Sequence, residues 1–205
     1  MFFMRSKRLW FIGLLVAISI TLSGCAWFSD VTLDIRSSIT GLPFTISTYD
    51  YDGQKIDQIK ANSVKISTYR PMSKTDSNQN EQSKVIDVEY GGHQMIHVGS
   101  SLIASEGLTN YQDRFNRKVN INNINPSVPM LAEIYNNFKN DWSGKARVIL
   151  IRSQAGKPIA VYVGNHVRVS GTDMKSTTKI NVDGKRLFIY RCDYSIYDLS
   201  TVKKM

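Results

Sequence analysis

Asp183-Gly184 stands between Lys179-Ile180-Asn181-Val182 and Arg186-Leu187-Phe188-Ile189-Tyr190, and nothing else in the chain narrows its fold as much. A two-residue turn of this kind needs positive φ at both positions, which Asp and Gly tolerate, and alternating apolar residues on either side make it a β-hairpin. The same grammar recurs. Phe44, Ile46 and Thr48 alternate with Thr45, Ser47 and Tyr49 ahead of Asp52-Gly53, with Ile56 and Ile59 on the returning segment. Val64–Tyr69 and Val85–Tyr90 read as further strands, the second broken by Gly91-Gly92. Val148–Ile151 turns through Gln154-Ala155-Gly156-Lys157 into Pro158–Val163, and His166–Val169 follows Gly164-Asn165. Alternation over short runs between turn residues is the mark of half-buried strands. A final strand is expected to reach Tyr197.

One helix is expected. Ser127 can cap, Pro129 suits a first turn, and Leu131, Ile134, Tyr135, Phe138 and Trp142 recur at three- and four-residue steps before Gly144. Such a stripe is core packing. The expected fold is therefore α+β and β-rich: a mostly antiparallel sheet covered by one main amphipathic helix over about 129–142. Residues 93–108 are ambiguous between strand and short helix. The stretch 72–84, almost devoid of apolar residues, reads as a long loop, and Asn120–Asn125 as another.

The first 25 residues have a different logic. Arg5, Lys7 and Arg8 precede an apolar run from Leu9 to Leu22, then Ser23-Gly24-Cys25. Basic, apolar and small-residue regions in that order form a signal peptide. Leu22-Ser23-Gly24-Cys25 resembles the lipobox of bacterial lipoprotein precursors. The resemblance implies cleavage between Gly24 and Cys25 and diacylglycerol on the Cys25 sulfur. The competing reading is an uncleaved transmembrane helix, which the thinning at Ser19, Thr21, Ser23 and Gly24 disfavours. Both readings put the body outside, since the basic end stays in the cytoplasm. The expected organisation is 1–24 signal peptide, 25–40 lipidated N-terminus and short tether, and 41–205 a single β-rich extracytoplasmic domain. Trp27 and Phe28 can settle among headgroups or pack beneath the domain.

Charge and cysteine usage bound the partners. The chain carries a formal charge of +9, and losing Arg5, Lys7 and Arg8 lowers it to +6. The basic residues are scattered, which argues against nucleic acid and suits an anionic membrane surface, an anionic envelope polymer or a surface protein. With Cys25 taken by lipid, Cys192 stands alone and no internal disulfide forms.

The candidate chemistry is thin. His93 and His97 share one side of a strand or helix, and a third metal ligand would come from His166, Glu106 or an Asp elsewhere. Gln94 stands where a zinc protease would carry its glutamate. Cys192 with His166 suggests a thiol enzyme. However, Phe188, Tyr190, Cys192, Tyr194 and Ile196 would form one apolar stripe, where cysteine acts as a small hydrophobe. Gly99-Ser100-Ser101 lacks the next glycine of a nucleophile elbow. Asp50-Tyr51-Asp52-Gly53 starts like a calcium loop, but the later ligands are out of register. No cofactor fingerprint is present, and no carboxylate pair is nominated.

Several segments, namely Gly41-Leu42, Tyr49–Gly53 with Lys55-Ile56, His97–Ile103, Ile149–Gln154 through Gly156–Ile159, and the strand after Asp183-Gly184-Lys185, together resemble a family of small lipoproteins of unknown function from low-GC Gram-positive bacteria. That resemblance implies a lipid anchor and a single-membrane envelope, and carries over no site residues. The expected role is a membrane-anchored, non-enzymatic binding or interaction module of the cell envelope. The alternative is a cell-wall-active or metal-dependent enzyme using His93, His97 and His166.

Overall fold

Ser101–Glu106 is buried at every position, on both faces of the strand. A strand with no exposed face belongs to the middle of a layered stack, and its sequence need not alternate. That explains why this stretch gives no clear period. In the computed structural model the described residues are 33–36, 42–72, 74–75, 81–82, 84–118, 130–142, 145–172 and 174–204. All of them lie in one compact unit, Thr32–Met205. The signal segment, Cys25, most of the expected tether, Asn120–Asn125, Ser127, Pro129 and Gly144 lie outside the described residues.

The strands are β1 (Leu33–Arg36), β2 (Phe44–Tyr49), β3 (Lys55–Ala61), β4 (Ser63–Thr68), β5 (Lys74–Thr75), β6 (Glu81–Gln82), β7 (Ile86–Tyr90), β8 (His93–His97), β9 (Ser101–Glu106), β10 (Arg147–Arg152), β11 (Pro158–Gly164), β12 (Val167–Ser170), β13 (Thr177–Val182), β14 (Lys185–Tyr190) and β15 (Asp193–Asp198). The central sheet has the order β12-β13-β14-β9-β2-β3. A four-stranded sheet, β1-β4-β7-β8, lies against one of its faces, and a three-stranded sheet, β11-β10-β15, against the other. Every strand pairing among them is antiparallel.

Side-chain parity builds the layers. Phe44 and Ile46 of β2, Leu102 and Ala104 of β9, and Phe188 and Tyr190 of β14 meet Val64, Ile66, Ile86 and Val88 of the four-stranded sheet. The opposite parity, Tyr49, Ile103, Leu187 and Ile189, meets Ile149, Ile151, Ile159 and Tyr162 of the three-stranded sheet. Val148, Leu150 and Val161 point outward from that sheet onto Leu131, Ile134, Phe138 and Trp142.

The α+β expectation with a main helix over 129–142 is overturned. Three stacked antiparallel sheets, not one helix-covered sheet, make this a β-dominated fold. The helix occupies Met130–Phe138 only and gives way to a single 3-10 turn at Lys139–Asp141. The cause is local: Asn and Asp are poor helix formers, and Asn137 turns its side-chain amide back onto the Glu133 carbonyl (2.9 Å). Its neighbours on the outer layer are the short helices Tyr111–Lys118 and Leu199–Val202, which no apolar stripe in the sequence announces.

The expected hairpin is present. Val182 pairs with Lys185, Asp183 and Gly184 adopt φ of 51° and 82°, and the Gly184 amide donates to Asn181 Oδ1 (3.0 Å). Of the polar stretch 72–84, Lys74–Thr75 and Glu81–Gln82 form a short ladder, and its tip lies outside the described residues. The apolar stripe expected from Phe188 through Ile196 is broken. Arg191, at φ 51°, carries the chain from the central sheet to the three-stranded one, so Tyr190 and Ile196 belong to different interfaces.

Candidate functional site

Beyond the edge of the three-stranded sheet, the β2–β3 end of the central sheet is left partly uncovered. The segment Leu108–Asn110 and the helix beginning at Tyr111 arch over it and leave a groove of about 570 Å³. Asn110 fixes that arch: its Oδ1 accepts from the Gln112 amide (3.0 Å) at the helix start and from the Val161 amide (3.0 Å) of β11.

The floor follows from strand register. Thr45 pairs with Ser105 on one side and Lys60 on the other, and Ser47 pairs with Gln58, so these side chains share the groove face. Ser47, Ser105, Tyr49 and Tyr162 are buried. Gln58 Nε2 donates to Ser47 Oγ (3.2 Å), and Ser105 Oγ donates to the Thr45 carbonyl (3.5 Å). Burial pushes both phenols up, the Asp113 carboxylate raises both further and Tyr162 adds to the effect on Tyr49; hydrogen bonds with Ser47 and Ser105 offset this only in part. Both tyrosines are therefore neutral hydrogen-bonding groups at any physiological pH.

The rim is charged. Lys55 Nζ bridges to both Asp113 oxygens (3.2 Å each) across the mouth and lies 5.9 Å from the Tyr49 ring centre. Arg114 is held by Asp141 (2.7 Å) and stacks 4.5 Å from the Phe138 ring centre. Lys60 has no ion-pair partner among the described residues. The groove thus offers several neutral donors and acceptors, with Lys60 as an exposed cation.

The histidines lie elsewhere. His93 and His97 occupy the two ends of β8, about 13 Å apart at the rise of a strand. His93 leans on Tyr90, while His97 Nε2 lies 3.0 Å from the Ser100 carbonyl and its ring meets Tyr190 edge-on. His166 is 92 % exposed, with Nδ1 3.4 Å from Asp183. Among the described residues no three His, Cys, Asp or Glu side chains are placed to hold a metal ion. Glu106 is fully buried and committed to Arg186, with Nε and one terminal nitrogen donating at 2.7 and 3.0 Å. Cys192 is half-buried. Burial pushes its thiol up to about 12, and Sγ donates to the Tyr190 carbonyl (3.3 Å), far from His166's setting. A thiol held in that form is a poor nucleophile.

Three of the segments that carry the sequence resemblance, 49–53, 97–103 and 149–159, converge on one end of the stack, while Leu42 and the Asp183–Lys185 turn lie at the other. Where the three converge, the Ala155 amide donates to the Tyr51 carbonyl (3.1 Å), Gln154 Nε2 to the Gly99 carbonyl (3.0 Å), and Arg191 to Gln154 Oε1 (2.8 Å). Lys157 bridges to Asp52 (3.0 Å). The Asp50–Gly53 and Gly99–Ser101 segments are turns of this assembly: Asp50 Oδ1 accepts from the Gln54 amide (2.7 Å), and Ser101 Oγ donates to the Arg191 carbonyl (2.7 Å).

Residues 7–202 match the family model described as Domain of unknown function (DUF5052). The chain belongs to that family. The match to DUF5052 runs through every described strand and also takes in the apolar run and Cys25. No curated protein and no solved structure matches the chain. The groove residues were not legible beforehand. Ser47, Ser105 and Tyr162 look like ordinary strand residues, and only the pairing of β2 with β3 and β9 gathers them.

Proposed function

We propose that this DUF5052 chain is a lipoprotein of a single-membrane, Gram-positive type envelope. It would be anchored through Cys25 to the outer face of the cytoplasmic membrane and act as a non-enzymatic binding module. The anchor reading rests on the order of a basic start, an apolar run and Leu22–Cys25. No helix among the described residues is long and apolar enough to cross a membrane.

The groove carries the binding reading. Its neutral serines, tyrosines and Gln58 suit a hydroxyl-rich chain, and Lys60 suits negative charge along that chain. A polyol-phosphate polymer of the envelope combines both properties. Neither serine of the floor has a histidine beside it to serve as a base, so the groove has the chemistry of recognition rather than acyl transfer.

The test is binding of the full chain, held in lipid nanodiscs, to a glycerol-phosphate oligomer and to a neutral oligosaccharide of matching length. The expected result is saturable binding to the phosphate polymer that weakens several-fold in Lys60→Glu and falls with added salt. Binding unaffected by Lys60→Glu and Gln58→Ala, or no binding to either polymer, would overturn the assignment of the groove. Capture of one dominant protein by in-cell crosslinking near Gln58 would replace the polymer with a protein partner.

A further inference from the structure

The stack has two ends, and they differ in what they expose. At the proximal end, where β1 begins at Leu33 opposite Ile66, lie the β2–β3 turn, the Arg70–Met72 turn, the β8–β9 turn, the β10–β11 turn and the Arg191-Cys192 crossing. At the distal end lie Gly91-Gly92, Gly107, Gly164–His166 and Asp183-Gly184. Among the described residues seven large apolar side chains are more than a third exposed. Six of them, Tyr51, Ile56, Met72, Ile96, Val98 and Tyr194, sit in the proximal turns or beside them. The seventh, Val169, lies on the edge strand β12, opposite Ile180.

We propose that this proximal end is a membrane-contacting surface that rests its exposed apolar side chains in the headgroup layer of a phospholipid bilayer. The inference rests on the anchor reading above and adds which end faces the lipid. A folded domain with exposed apolar groups gathered at one end has an interaction surface there. What covers it follows from where the chain enters. Eight residue steps separate Cys25 from Leu33, and an extended chain covers at most about 3.6 Å per step, so a lipid on Cys25 holds β1 within about 30 Å of the membrane. Because β1 enters at the proximal end, that end is the one kept near the bilayer.

The chemistry of the turns fits. Tyr51 and Tyr194 present amphipathic rings of the kind that settle at the membrane–water boundary. Tyr51 and Val98 flank one turn, since residues 154 and 155 hydrogen-bond to Gly99 and Tyr51 respectively. Asp50, Asp52 and Asp193 share this end with Arg70, Lys84, Lys157, Lys175 and Arg191, so charge of both signs surrounds the apolar side chains. A second point of attachment beside the lipid on Cys25 gives the domain a defined pose. It also leaves the groove, along β2 and β3, on the flank of the domain rather than against the bilayer.

The experiment reconstitutes the full chain in phosphatidylglycerol–phosphatidylcholine vesicles carrying a phospholipid with a photoreactive group near its glycerol. Crosslinked peptides are mapped by mass spectrometry, and the mass of the lipid on Cys25 is read in the same digest. Crosslinks on the peptides bearing Tyr51, Met72 and Val98, absent from the 183–185 hairpin, are expected. They should fall several-fold in Tyr51→Ser/Val98→Ser while the Cys25 mass is unchanged. Lipid on Cys25 with crosslinks absent, or spread equally to the 183–185 hairpin, would overturn the docking pose alone. Proximal crosslinks with no lipid on Cys25 would remove the anchor reading and leave the surface standing. Neither lipid nor crosslinks would sink both.

Discussion

The distal and proximal ends of the stack are built by opposite means. Distally, polar groups are satisfied internally: Glu106 is sunk between β9 and β14 and takes the Arg186 guanidinium through two side-chain bonds. Asp183 gathers the amides of Asn165 and His166 (3.0 and 2.7 Å). Proximally, the turns are tied together by backbone and amide bonds, and their apolar side chains are left facing out. One end keeps its strongest interactions for the fold, and the other holds apolar side chains in reserve for contact. Substitutions at the two ends should therefore separate stability from attachment.

The largest effect is expected at Glu106. Removing one partner of a buried ion pair costs about 3–5 kcal/mol, and because Arg186 keeps 30 % of its side chain exposed and can rehydrate, the lower end is expected here. Glu106→Ala should lower the denaturation midpoint steeply, read by chemical unfolding followed by circular dichroism. Arg186 also covers the Phe44 ring (5.6 Å to its centre), so Arg186→Ala should loosen the first core interface as well. A change below about 1 kcal/mol would mean that the distal end is not the rigid one, since exposed pairs contribute no more than that.

The proximal turns are not loose for being apolar, and two glycines within them test that. Gly53 has φ 86°, and a Cβ there would lie 2.8 Å from Ile159 Cγ2; Gly156 has φ 76° and nothing within 4 Å. Gly156→Ala should cost only the left-handed backbone penalty, about 1–2 kcal/mol. Gly53→Ala should add about 1–3 kcal/mol for overpacking against β11. Equal losses at both positions would show that the β2–β3 turn can shift away from Ile159 and that this end is the softer one.

How much of this could be read from the residues alone differs from layer to layer. Strands carry their own period and the turns their glycines, so the β13–β14 and β10–β11 hairpins were legible as written. Stacking was not. Ser101–Glu106 shows no strand period because both its faces are covered, and nothing local in β2 says that Thr45 and Ser47 will face a groove while Ile46 faces a core. The helix was overextended because Phe138 and Trp142 keep the helical spacing, although the backbone between them is a 3-10 turn. Tyr111–Lys118 was missed for the opposite reason: its polar composition hides a single side that packs through Tyr111 onto Phe138 and Trp142.

Tyr51→Ser/Val98→Ser carries the comparison to the surface. Exposed side chains away from caps, pairs and cavities change stability by no more than about 0.5 kcal/mol. The double variant should therefore unfold at the wild-type midpoint while losing most of its lipid crosslinks. A clear fall in stability would instead place these side chains in the fold and remove the contrast between the two ends.

The smallest effect is a difference in acid response at the distal turn. Burial alone would raise the Asp183 carboxyl, but the His166 and Asn165 amides, with the His166 ring, hold it below its ordinary value of 3.8. A carboxylate lowered by folding stabilises the native state above the unfolded-state value, and that contribution is lost as pH falls through the lower, folded value. Asp183→Asn should therefore be slightly less stable than the wild type at neutral pH, with the gap closing below pH 4. The group is largely exposed, so screening keeps the difference small. Denaturant midpoints measured from pH 7 to pH 2 check it. A gap that persists at the lowest pH would mean that Asp183 acts through the shape of its turn, which asparagine alters, and not through its charge.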